Sequence, residues 1–189
     1  MQTILPAQFR RGLVLMLDGA PHLIESLETT GTAKTKHRLH AHLRNLKTGR
    51  VAERGFQDNE HVPMVELRTR SVQFSYHQGD QFVFLNAETF EELTLTADQI
   101  GDRRGLLKEN EEYKALFLDD RLLDIVLPDH VVLKVAETAP PQRSAQQSTY
   151  KTAKLENGLE IMVPLFIGPG EAIRVDTLDR KYAGKEHGE

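Results

Sequence analysis

One lysine and a short run of basic residues carry the chemistry this sequence offers. Lys34 stands inside Thr29-Thr-Gly-Thr-Ala-Lys-Thr-Lys-His-Arg-Leu-His-Ala-His42, a polar stretch whose tip is made of Gly31, Thr32, Ala33, Lys34, Thr35 and Lys36. From Arg38 to Arg44 the residues alternate, with Leu39, Ala41 and Leu43 on one face and Arg38, His40, His42 and Arg44 on the other. That pattern is a half-buried strand. Side chains two strand residues apart stand about 6.6–6.8 Å from one another, so two guanidiniums and two imidazoles in a row suit a line of phosphates better than a small-molecule pocket. Leu13–Leu17 and Leu23–Leu27 flank Asp18-Gly19, and Leu46-Lys-Thr-Gly49 turns the chain into Arg50–Phe56. Lys34 is therefore expected at the far end of a β-ribbon.

Other chemistries find less support. There is no Gly-x-Ser-x-Gly, no phosphate-cradling glycine loop and no His-Glu-x-x-His. His40 and His42 point the same way along a strand and could share a metal, which keeps a metal-dependent barrel enzyme open as a third class. Against it, His37 falls on the opposite face and no carboxylate lies between Thr29 and Arg50. Glu88, Glu91 and Glu92 read as a solvated acidic face. Tyr182 could stack on a base or pack over a barrel mouth.

The 189 residues suffice for one large domain or two to three small ones. No apolar run approaches the roughly 20 residues that span a bilayer, and the first residues lack the layout of a signal peptide, so the expected compartment is the cytoplasm, with no membrane partner. Zero cysteines exclude disulfides, thiol nucleophiles and cysteine-based zinc sites. The net charge of −4 hides an asymmetry: residues 1–64 hold nine Lys and Arg against six Asp and Glu, with five of the eight histidines. The remaining 125 residues hold fifteen against twenty-two. A basic first third can meet nucleic acid, while the acidic remainder argues against a protein that coats duplexes.

Along the chain the expected fold class is all-β. Residues 1–64 show four or five short strands in the rhythm of a small barrel. In the next block Ser71–Tyr76, Phe82–Leu85 and the hairpin Tyr113–Leu118 with Arg121–Val126 read as strands. Thr96-Ala-Asp-Gln99 has the form of a capping box opening a short helix through about Leu107. After Leu127-Pro128-Asp129 comes Val131–Ala136, then a polar, twice proline-interrupted loop over Thr138–Ser148. Glu156-Asn-Gly158 marks a hairpin, and Pro164 with Gly168-Pro-Gly170 separates Ile161–Val163 from Ala172–Val175. The expected domains are 1–64, 65–128 and 129–189, the last two with the look of five-stranded barrels.

The stretch Lys151-Thr-Ala-Lys-Leu-Glu-Asn-Gly-Leu-Glu-Ile-Met-Val-Pro-Leu-Phe-Ile-Gly-Pro-Gly170 resembles the signature of bacterial elongation factor P, with Ala153, Gly158, Ile161, Val163, Pro164, Ile167 and Gly170 at the family's spacing. The resemblance extends to Gly12–Gly19, Leu43–Val51 and Leu133–Thr138. Val72–Leu85, Thr96–Ile100 and the ending Arg180-Lys-Tyr-Ala-Gly184 resemble the elongation-factor-P-like paralogue.

That resemblance implies a KOW/SH3-like barrel followed by two OB-fold barrels in an L-shaped, tRNA-like arrangement. It implies a monomeric, non-enzymatic translation elongation factor that binds both ribosomal subunits between the peptidyl and exit sites. There it would assist the ribosomal peptidyl transferase at consecutive prolines. The partners would be peptidyl-tRNA, ribosomal RNA and a lysine-modifying enzyme; no cofactor is implied. The family's functional tip residue, a lysine or arginine that often carries a modification, falls on Lys34. Arg38, His40, His42 and Arg44 would then face RNA phosphates. Two departures stand out. Thr32-Ala-Lys-Thr35 replaces the main factor's Pro-Gly-Lys-Gly, removing glycines that permit positive φ. The main factor's Gly-Asp-Thr, associated with the exit-site codon, falls at Ser144-Ala-Gln146. The alternative reading is a β-barrel module that uses the basic ribbon on another structured RNA, without effect on peptidyl transfer.

Overall fold

Alternating apolar residues in segments of three to eleven, each closed by a tight turn, fold into antiparallel ladders that bury one face. The structure is a computed structural model and describes residues 2–30, 38–141 and 149–186. The fold is all-β, with a single short α-helix among the described residues.

The first sheet has six strands: β1 (Gln2–Ile4), β2 (Val14–Leu17), β3 (Ala20–Thr30), β4 (Arg38–Asn45), β5 (Val51–Phe56) and β6 (Val62–Val65), ordered β1-β6-β2-β3-β4-β5. One is more than the sequence pattern suggests. β1 is three residues long with only Ile4 buried, so it shows no alternation to read. The inner face of this sheet packs Ile4, Phe9, Leu15, Leu17, Ile24, Ala41, Leu43, Phe56 and Val62 into one core.

The second sheet contains β7 (Arg68–Gln78), β8 (Gln81–Asn86), β9 (Glu92–Thr96), β10 (Glu112–Leu118) and β11 (Arg121–Val126), ordered β11-β10-β7-β8-β9. The third contains β12 (His130–Thr138), β13 (Tyr150–Leu155), β14 (Glu160–Pro164), β15 (Ala172–Asp176) and β16 (Tyr182–Lys185), ordered β14-β13-β12-β15-β16. Both have one connectivity: the first strand is central, the second and third lie to one side, and the fourth and fifth to the other. Phe74, Phe82 and Phe84 form an aromatic group within the second core, Phe84 being fully buried. The third core is aliphatic, including Leu133, Val163, Ile167 and Ile173.

Between β9 and β10 the expected capping box is present. The Gln99 amide donates to the Thr96 hydroxyl over 3.2 Å, and the Thr96 amide donates to Gln99 Oε1 over 2.9 Å. The α-helix it opens, α1 (Ala97–Ile100), is shorter than the helix through Leu107 expected from sequence. Gly101 takes φ +60° and ends it, and the chain continues as a 3₁₀ segment over Gly101–Leu106.

The chain divides into two compact units, Met1–Gly101 with Glu109–Val126, and Asp102–Lys108 with Leu127–Glu189. In the second unit Leu106 joins the aliphatic core, Asn157 donates to the Gly105 carbonyl over 2.7 Å, and Arg180 pairs with Asp102 at 2.9 Å.

Candidate nucleic-acid interface

The antiparallel ladder of β3 and β4 positions the predicted basic residues. Its outer pairs are Thr30 with Arg38, Thr29 with Leu39, Glu28 with His40, Leu27 with Ala41 and Ser26 with His42. In each of these pairs the residue numbers are symmetric about position 34, so the hairpin register is centred on Lys34. Lys34 and the other tip residues Gly31, Thr32, Ala33, Thr35 and Lys36 lie outside the described residues, as do His37 and Ser144–Gln146. The pairs are anchored below by Leu27 and Leu39, which pack on the first core beside the fully buried Ala41 and Phe56.

The alternation of β4 is as read from sequence: Ala41 and Leu43 are buried, while Arg38, His40, His42 and Arg44 lie on the opposite face. What sequence reasoning missed is the carboxylates that meet three of these four. His40 Nδ1 lies 2.7 Å from Glu53 Oε1 on β5, and His42 Nε2 lies 3.9 Å from Glu28 Oε1 on β3. Arg44 is mostly buried; its Nε is 2.7 Å from Glu25 Oε1 and its Nη2 is 3.2 Å from Asp124 Oδ2. Arg38 is exposed and has no ion pair among the described residues. The unbalanced positive charge of the ribbon therefore collects at its Arg38 end, toward the segment that holds Lys34 and Lys36.

A signal for two of these carboxylates exists in the sequence. Once the hairpin is centred on position 34, Glu28 falls opposite His40, and the turn at Leu46–Gly49 brings Glu53 opposite His42. Glu25 and Asp124 have no such signal. Glu25 is the extra residue of a β-bulge between Ile24 and Ser26, and Asp124 comes from another sheet. A bulge aims a side chain that strict alternation would place elsewhere. Among the described residues no group of three or more His, Asp or Glu could hold a metal ion. No helix among them is long and apolar enough to cross a membrane.

Three family models match consecutive parts of the chain. They are the "Elongation factor P (EF-P) KOW-like domain" over residues 7–62, the "Elongation factor P (EF-P) OB domain" over 67–125 and "Elongation factor P, C-terminal" over 131–185. A KOW-like module followed by two further β-modules of this kind defines the class, a translation elongation factor. Relatives of the same name agree over nearly the whole length. The "Elongation factor P" of Microcystis aeruginosa is 42% identical over 180 residues, covering 94% of this chain and 97% of the relative. That of Nitratidesulfovibrio vulgaris is 36% identical over 179 residues, with the same two coverages of 94% and 97%. The chain belongs to the elongation factor P family. A looser likeness among solved structures is "Eukaryotic translation initiation factor 5A from Methanococcus jannaschii", 15% identical, covering 66% of this chain and 94% of that one with a TM-score of 0.47.

Proposed function

We propose that this protein binds the ribosome beside peptidyl-tRNA, between the peptidyl and exit sites, and promotes peptide bond formation at consecutive prolines. In this reading Lys34 steadies the tRNA acceptor end. The observation that carries the proposal is the β3–β4 register, which is symmetric about position 34 and puts Arg38, exposed and without an ion pair among the described residues, at the end nearest that position. Family membership over nearly the full length supports the setting.

The physical reasoning is positional. A proline ring fixes φ and restricts how the nascent chain can lie in the peptidyl transferase site. Orientation of reacting groups can lower a barrier by up to about 7–11 kcal/mol, of which a helper on an existing active site supplies a fraction. A lysine ammonium near the acceptor end needs no acid or base of its own; a charge-assisted hydrogen bond to a phosphate or sugar oxygen is enough. Arg38 is the natural second contact. His40 and His42 reach phosphates only by giving up Glu53 and Glu28, and Arg44 stays with Glu25 and Asp124. A modification of Lys34 would extend its reach along the same line.

The test is Lys34→Ala in a polyproline translation assay run beside ribosome co-sedimentation. Relief of stalling is expected to vanish while ribosome binding changes little. Full relief by the variant removes Lys34 from the mechanism, and wild-type binding without any relief favours a plain RNA-binding module.

A further inference from the structure

Two β-bulges, one in β3 of the first sheet and one in β11 of the second, face the same place. In β3 the extra residue is Glu25; in β11 it is Leu123, between the partners of Leu116 and Phe117. The bulge in β11 lets Leu122, Leu123, Asp124 and Ile125 be buried consecutively, which a strand with strict alternation and one solvated face does not do. Leu123 packs with Val14 and Leu46, and Leu23, Val65, Leu67 and Leu118 close round them. This is a second apolar cluster, on the face of the first sheet opposite its own core.

Two polar contacts and one close backbone approach sit on that cluster. Arg44 brings its guanidinium to Asp124, which is 2% exposed, while its Nε stays on Glu25. Gln99, the residue that closes the capping box of α1, donates its side-chain amide to the Leu46 carbonyl over 3.1 Å. Gly49, at φ +76°, presses so close to α1 that a Cβ built there would lie 2.0 Å from the Asp98 carbonyl oxygen. Backbone meets backbone at this point, so no side-chain adjustment could admit a methyl group.

We infer that these contacts form a fixed joint between the first and second sheets, and that Arg44 and Gly49 are positioning residues for the Lys34 hairpin. The inference rests on the function proposed above. Strand β4 links the joint to the hairpin end directly: Arg44 lies in the joint, and six residues along the same strand is Arg38. Six residues of strand span about 20 Å, so a swing of about 10° at Arg44 carries Arg38 through about 3.5 Å. A displacement of about 1 Å in a positioned group can cost on the order of 10²-fold in rate, so a loose joint would disable the tip while leaving its residues intact. The sequence offered Arg44 as a phosphate contact; the geometry gives it to the frame that aims one.

The test uses the full-length protein and two independent variants. R44M with D124L replaces the buried pair by apolar side chains of similar bulk, which keeps a buried site foldable. G49A opens the same joint from the other side without touching charge. Residual dipolar couplings of the free protein report whether the first and second sheets share one alignment tensor. The wild type is expected to need one tensor and both variants two, with each sheet's own couplings unchanged. On ribosomes, relief of proline stalling is expected to fall at least about 10-fold while ribosome affinity changes by under about 3-fold, the split that separates positioning from binding. A single shared tensor in both variants overturns the joint. Separate tensors with undiminished relief overturn the positioning role. If the wild type relieves no stalling, the proposed function fails, and the tensors alone uphold or overturn the joint.

Discussion

Gly49→Ala is expected to destabilise the protein well beyond what its turn alone would explain. Among the described residues the turn occurs three times, over Asn45–Arg50, Asn86–Glu91 and Asp176–Lys181, once in each sheet. In every copy the first side-chain oxygen accepts from the third and fourth amides, as Asn45 Oδ1 does from Lys47 and Thr48 at 2.8 and 3.2 Å. The fifth amide donates to the first carbonyl, at 2.8 Å for Gly49, 2.8 Å for Phe90 and 2.9 Å for Arg180. The fifth residue is left-handed in all three, with φ +76°, +58° and +54°. Left-handed backbone costs a residue with a Cβ about 1–2 kcal/mol, and Ala recovers about 0.4–1 kcal/mol by restricting the unfolded chain. The backbone contribution is therefore about 1 kcal/mol. What distinguishes Gly49 is the Asp98 carbonyl 2.0 Å from the Cβ position, which forces turn and helix apart by more than an ångström. That separation endangers the Gln99 bond to Leu46, worth about 0.5–1.5 kcal/mol, and part of the apolar cluster under it. The expected total is about 2–4 kcal/mol by denaturant titration. Phe90→Gly is the control at the equivalent position. Phe90 is 76% exposed, so relief of left-handed strain and loss of slight ring contact nearly cancel, and the change stays within about 1 kcal/mol. If Gly49→Ala costs no more than the control, the close approach to α1 is not real and the joint loses one of its three contacts.

Other parts of the structure make further outcomes specific. Phe84 is fully buried among Phe74 and its neighbours, so Phe84→Ala should cost about 3–5 kcal/mol in equilibrium unfolding; a loss under about 1 kcal/mol would contradict the packing of the second core. The Glu171 carboxylate is held below its ordinary pKa of 4.5 by a 2.7 Å bond from Lys185 and a 2.9 Å bond from the Gly168 amide. A lowered folded pKa gives stability that is present above 4.5 and lost as pH falls through the folded value. Denaturation of wild type and Glu171→Gln should therefore differ at neutral pH and converge in acid, and a gap that widens in acid would reverse the assignment. Burial raises the Tyr182 phenol above 10.0, so its contribution is complete below pH 10 and should fade as the solution becomes more alkaline; Tyr182→Phe, tested by the same titration, should lack that loss.

Much of this protein is legible from local order in its chain. Strand alternation, turn residues such as Asp18-Gly19 and Asn157-Gly158, and the Thr96–Gln99 capping box are short-range signals, and each appears in the structure as the residues suggest. So does the alternation of β4, which puts Arg38, His40, His42 and Arg44 on one face. The helix expected to reach Leu107 stops at Ile100 because Gly101 turns left-handed, a choice that the residues after it do not announce.

What the sequence determined by itself is a chain of small antiparallel β-modules with a polar, lysine-bearing hairpin in the first, because alternation and turn chemistry act over a few residues. What only the tertiary structure decided is the use of the cations. Whether a guanidinium is free for phosphate depends on carboxylates that folding brings to it, and Asp124 lies eighty positions from Arg44. The two bulges complete the difference: one residue inserted into β3 and one into β11 turn Glu25 and Leu123 toward a shared joint, and only the pairing register reveals it.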